Sequence, residues 1–74
     1  MRVVAVDSST LAAIGYDAVG KLLQLEFSSR VVYHYFGVPA AVHAALLSAA
    51  SKGNFFNRSI RGRFAYRRVL QGQE

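Results

Sequence analysis

The chain has no cysteine among its 74 residues, which removes disulfide frameworks, thiolate metal sites and cysteine nucleophiles together and fits a reducing cytoplasm, its expected location. Carboxylates are scarce as well: Asp7, Asp17, Glu26 and Glu74 are the whole set. None stands between Glu26 and Glu74, whereas Arg30, Lys52, Arg58, Arg61, Arg63, Arg67 and Arg68 all do. The net charge of +5 is therefore uncompensated towards the C terminus. Such a segment is attracted to nucleic acid, anionic lipid or an acidic protein. Long apolar runs are missing too: Val38 to Ala50 is 13 residues and contains His43, against roughly 20 for a membrane-spanning helix. The opening "MRVVAVDSST" lacks an extended apolar stretch followed by a small-residue cleavage site, and it reads as mature chain.

The motifs that carry chemistry are also thin. There is no GxGxxG and no Walker A loop, so no nucleotide cofactor is expected. The two histidines, His34 and His43, have no recognisable ligand spacing and no thiol beside them, so no metal is expected. Ser8, Ser9 and Ser29 lie in no nucleophile-elbow motif. A catalytic alternative is metal-independent RNA cleavage with the two histidines as general acid and base. The expectation is a protein that is not an enzyme.

What is present argues for a folded unit. Hydrophobic residues make up 53% of the chain, well outside the disordered class. A single domain over residues 1–74 is expected, with its core at about 8–69 and a frayed end at 70–74. So short a chain buries only about 60% of the surface its unfolded form exposes, so each large apolar residue counts. In "KLLQLEF", Leu23, Leu25 and Phe27 alternate with Gln24 and Glu26, the period of a strand with one buried face. "TLAAIGY" forms a weaker strand with Ile14 and Tyr16 on one face, joined through "DAVG" as a tight turn. After "SSR", the β-branched and aromatic "VVYHYF" is a third strand. Pro39 then suits the first turn of a helix, carried on by Val42, Ala45, Leu46 and Ala49 at 3- and 4-residue spacing. "SKGN" breaks it, with Ser51 and Asn54 as capping candidates, and Phe55, Phe56 and Ile60 mark a second short helix ending near Gly62. "RFAYRRV" is either a packed extended tail or a short strand. The fold class is thus α+β: a three-stranded antiparallel meander followed by two short helices packed on one face, in the order β-β-β-α-α.

On the third strand Val31, Tyr33 and Tyr35 share one face, and Val32, His34 and Phe36 share the other. The tyrosines are expected mainly in the core beneath the helices, the alternative being an exposed base-stacking platform. "VVYHYFGVP", preceded by "IGYD" and "LLQLEF" and followed by "ALLSAASKGNFFNRSIRGRFAYRRV", resembles the KTSC domain, a short module similar to the C-terminal region of some lysyl-tRNA synthetases and also found as a free-standing bacterial protein. The resemblance runs from about Ser8 to Val69. Its matching positions are Tyr16, then Tyr33, Tyr35, Val38 and Pro39, then Phe56, Asn57, Ile60, Arg61 and Gly62, and finally Tyr66. It implies the fold, and through the synthetase context it implies RNA, possibly tRNA, as partner. Asn57 and Arg61, four apart on the expected helix, would share a face and either brace backbone or meet a phosphate.

The candidate interface is "RSIRGRFAYRR". Arginine offers a planar fork that pairs bidentately with oxyanions, and interleaved aromatics can stack on bases. The expected nucleic-acid-binding residues are Arg58, Arg61, Arg63, Tyr66, Arg67 and Arg68, with Lys52, Asn57, His34 and Phe64 as secondary candidates. The competing readings are a solvated basic face, an acidic protein partner, or homodimerisation through the open sheet face (Val32 and Phe36) or an edge strand.

Overall fold

Residues 1–69 are described by a computed structural model; the expectation for 70–74 lies outside the described residues. Seven elements follow one another: β1 (Arg2–Ala5), β2 (Leu11–Asp17), β3 (Leu22–Phe27), β4 (Val32–Tyr35), α1 (Ala40–Ser48), α2 (Lys52–Ser59) and β5 (Tyr66–Val69). The fold is α+β, with an antiparallel sheet and two helices. The sheet has five strands in the order β1-β2-β3-β4-β5, which corrects the expected three-stranded meander. The expected strands form its centre, and one more strand is added on each side.

Both added strands owe their conformation to their neighbours. β1 is four residues, "RVVA", all exposed, with no alternation that would mark a strand. It pairs along β2 from Arg2 opposite Tyr16 to Ala5 opposite Ala13. Gly15 makes this approach possible, because a Cβ there would lie 2.9 Å from the Met1 Sδ and the Val3 Cγ2. β5 pairs along β4 from Val32 opposite Val69 to Tyr35 opposite Tyr66. Without it the outer backbone groups of β4 would lack partners beside two buried side chains, Val32 and Tyr35.

Opposed residues in an antiparallel pair share a face. Leu23 lies opposite Tyr35 and Leu25 opposite Tyr33. Ile14 and Tyr16 join the same face from β2, and Tyr66 and Arg68 join it from β5. The helices cover this face, where Ile14, Leu23, Leu25 and Tyr35 meet Leu46 of α1 and Phe56 of α2 in one core. The tyrosines therefore lie beneath the helix layer. Of the expected α1 stripe, Leu46 is buried and Val42 and Ala49 are half-buried, but Ala45 is exposed.

Two further expectations are corrected by the added strands. The open apolar patch expected of Val32 and Phe36 does not form, since Val32 is buried while Phe36 is 43% exposed. The reason is that β4 is interior, so Val32 is flanked by Glu26 of β3 and Val69 of β5. For the same reason the first and third expected strands are not sheet edges; β1 and β5 are.

The helix boundaries follow local chemistry. Pro39 has φ −66° and ψ 152°, so it is the residue before the first helical turn, one place earlier than expected. Its carbonyl still accepts from the Val42 amide at 3.0 Å. Ser51 caps α2 by accepting from the Asn54 amide at 3.2 Å. At the other end the amides of Ile60 and Arg61 both donate to the Phe56 carbonyl, and the Arg63 amide donates to the Ile60 carbonyl. That turn passes through Gly62 at φ 75°, a left-handed conformation that glycine adopts without a Cβ penalty. Arg61 therefore lies just past the helix and does not continue the Asn57 face.

Candidate functional site

Five aromatic rings meet where β3, β4 and β5 pass under the end of α2. Phe56 stands edge-on to Phe27 at 5.1 Å between ring centroids and to Tyr35 at 5.8 Å. Tyr66 lies 5.7 Å from both Tyr33 and Tyr35. These edge-to-face and tilted contacts suit ring quadrupoles, and each contributes about 0.5–1.5 kcal/mol beyond buried area. α2 reaches the cluster through Phe56, which contacts rings of both β3 and β4. Towards β5 a groove of about 420 Å³ stays open, lined by Phe27, Tyr33, Tyr35, Phe56 and Tyr66, with Arg61 and Gly62 at its rim.

Burial grades across this groove. Tyr35 on the floor is 5% exposed, while Tyr66 on the outer wall is 62% exposed. Burial pushes the Tyr35 hydroxyl up to about 12; the neighbouring Tyr33 and Tyr66 add to the rise, and Arg61 opposes it.

The expected site residues separate into three groups. Arg61 and Tyr66 line the groove, Arg61 from the turn after α2 and Tyr66 from β5, whereas Arg68 lies opposite Tyr33 in the sheet register but borders a separate depression with His34, Arg67 and Val69. Arg58 and Asn57 are exposed on α2. The Arg63 Nε donates to the Arg58 carbonyl at 2.9 Å, which holds its guanidinium at the end of that helix, where a cation suits the helix dipole. Phe64 is half-buried and packs against the core.

The second group lies on the opposite face. Arg67 pairs with His34 across β4 and β5, and the His34 Nε2 is 2.7 Å from the Gln24 Oε1. The period of 2 along β5 gives Arg67 and Arg68 opposite faces of the strand, yet at the sheet edge both border one depression with His34 and Val69. Lys52 forms the third group: its Nζ donates to the Ala49 carbonyl at 3.2 Å, and it borders a separate depression with Asp7 and Ser8.

Groups suited to acid-base chemistry are engaged elsewhere. His43 stacks on Tyr16 at 4.5 Å, on the helix side of the sheet, and burial lowers its pKa. His34 is on the other side. The Ser8 Oγ accepts from the Thr10 and Leu11 amides. Among the described residues no group of three His, Cys, Asp or Glu side chains could hold a metal, and no helix is long and apolar enough to cross a membrane.

Sequence reasoning placed Tyr33 and Tyr35 in the core and Tyr66 in a separate basic segment, so the groove they build together was missed. The signal was there in the matching alternation of "YHY" and "YRR", which becomes informative once β4 and β5 are known to pair.

The family model described as KTSC domain matches residues 7–64. An uncharacterized protein of Stutzerimonas stutzeri is 47% identical over 58 residues, covering 78% of this chain and 82% of that protein. A lysine-tRNA ligase of a Nostoc species is 38% identical over 63 residues, which are 85% of this chain but 11% of the ligase. The crystal structure of a KTSC domain protein from Yersinia pestis is 38% identical, has a TM-score of 0.91, and is matched over 93% of this chain and 97% of that one. With the family model matched over most of its length and a structural match of TM-score 0.91 at 38% identity, the chain belongs to the KTSC domain family.

Proposed function

We propose that the protein is a non-catalytic binding module for single-stranded RNA, working in the cytoplasm with residues 8–69 as its functional unit. The observation that carries this reading is the open aromatic groove with Tyr66 on its wall and Arg61 at its rim. Arginines 58, 61, 63 and 68 hold phosphates, while the exposed ring of Tyr66, with the half-buried Tyr33 beside it, stacks on bases. Stacking of this kind contributes roughly 1–3 kcal/mol per base. The similarity to a stretch of a lysine-tRNA ligase supports tRNA as the first RNA to try.

Fluorescence anisotropy of labelled tRNA and a single-stranded RNA of similar length, titrated at low and moderate salt, tests the proposal. Affinity that falls steeply with salt and is lost in folded Arg61→Glu and Tyr66→Ala variants supports it. No binding at low salt sinks it.

A second reading, self-association, is favoured by β1. Val3 and Val4 are each 48% exposed at a sheet edge that carries no proline. The Val6 amide donates to the Ala12 carbonyl. With the alternation of antiparallel pairs, this turns the backbone groups of Arg2 and Val4 inward and those of Val3 and Ala5 outward. Sedimentation velocity over a concentration range distinguishes this reading, because Val3→Pro would remove only an outward-facing N–H.

A further inference from the structure

The groove contains a group that stacking alone leaves unused. Tyr35 is 5% exposed, yet its hydroxyl has no hydrogen-bond partner among the described residues. Tyr16 differs, since its hydroxyl donates to the Val38 carbonyl. A buried hydroxyl without a partner is costly, and each such group calls for an explanation. Here Tyr35 belongs to the lining of an open concavity. The hydroxyls of Tyr33 and Tyr66 and the guanidinium of Arg61 lie close enough to influence its ionisation.

A ligand that satisfies this site needs a flat face for the rings, a polar edge for the Tyr35 hydroxyl and an anion nearby for Arg61. A nucleotide combines all three. The volume of about 420 Å³ falls towards the lower end of the roughly 300–1,000 Å³ of small-ligand pockets.

We propose that the groove admits one unpaired nucleobase at a time, its face against Tyr66, its hydrogen-bonding edge turned to the Tyr35 hydroxyl and its phosphate on Arg61, so that the protein selects among bases. This rests on the RNA reading above and narrows it. Stacking tolerates any base, because every base has a π-face. A buried hydroxyl does not: a base edge that offers no complementary atom leaves it unpaired, and discrimination follows. With its proton held up to about pH 12, the hydroxyl both donates and accepts throughout the physiological range.

The test compares the native protein with Tyr35→Phe and Tyr66→Ala, each checked for folding, against oligonucleotides of equal length carrying a single adenine, cytosine, guanine or uracil in an abasic RNA background. Calorimetric titration at fixed salt should show the native protein preferring one base by at least about tenfold, the factor that about 1.4 kcal/mol represents. Tyr35→Phe keeps the ring and removes the oxygen. It should reduce that preference to within about twofold with an unchanged salt dependence, whereas Tyr66→Ala should weaken all four ligands together. Binding without preference, or a preference that survives in Tyr35→Phe, overturns the inference and leaves the RNA reading standing. Absence of binding to all four, and to tRNA, overturns both.

Discussion

The Tyr16 hydroxyl donates to the Val38 carbonyl at 2.5 Å, joining residues 22 positions apart. Tyr16 lies at the β1 side of the sheet centre, and Val38 is the buried residue just before Pro39 and α1. One hydrogen bond therefore ties the second strand to the point where the chain leaves the sheet. The same ring also stacks on His43 one turn into the helix.

Tyr16→Phe retains the stack and leaves the Val38 carbonyl without this donor. The expected loss of stability is about 1–3 kcal/mol, read from urea denaturation with an unchanged slope. A loss below about 0.3 kcal/mol would mean that water replaces the hydroxyl at no cost.

Tyr35→Ala empties the space between Phe56 and Tyr66. Removing a buried ring costs about 3–5 kcal/mol, comparable with the roughly 5 kcal/mol at the low end of domain stabilities. Thermal melting should show this variant largely unfolded near room temperature. Tyr35→Phe should remain folded, so the two variants separate packing from the hydroxyl.

His43 predicts a loss of stability in mild acid. Its folded pKa lies below the ordinary value of 6.5 because burial disfavours the charged ring. Above about pH 6.5 both folded and unfolded forms are neutral, and the contribution to stability is complete. As the pH falls through that value towards the lower folded pKa, the unfolded chain takes up the proton first and stability declines. Melting temperatures measured between pH 7.5 and 5.5 should fall, and the fall should be smaller in His43→Phe, which preserves the stack without titrating.

The place of Arg61 on the groove and of Arg67 on the His34 face predicts unequal effects on RNA affinity. Arg61→Ala should flatten the logarithmic salt dependence by about 0.7, the share of one phosphate contact on a single strand. Arg67→Ala, on the His34 face, should change it by less than half as much. Equal effects would mean that the ligand wraps the β5 edge and touches both faces.

The central strands were legible because their apolar residues alternate: Leu23, Leu25 and Phe27, and the tyrosines of β4, all face the helices as their period requires. Pro39 and Ser51 marked the helix starts to within one residue, since both act through their own backbone or side chain. β1 was not legible, because two consecutive valines and an alanine have no preferred face until β2 and Gly15 supply one. β5 was ambiguous for a related reason. Two arginines in four residues carry little intrinsic strand preference.

The charge imbalance, the α+β class, the helix starts and the face on which Tyr33 and Tyr35 lie were set by the amino-acid sequence alone, because each depends on composition or on spacing within one segment, whereas α2 ends at Ser59 and not near Gly62. Only the tertiary structure decided that β5 returns beside β4. That pairing joins residues more than 30 positions apart, and it brings Tyr66 and Arg68 to Tyr33 and Tyr35, sends Arg67 to the other side and leaves a groove at the end of α2. A long-range pairing of this kind is set by where unsatisfied strand backbone and uncovered aromatic surface remain after the local elements have packed.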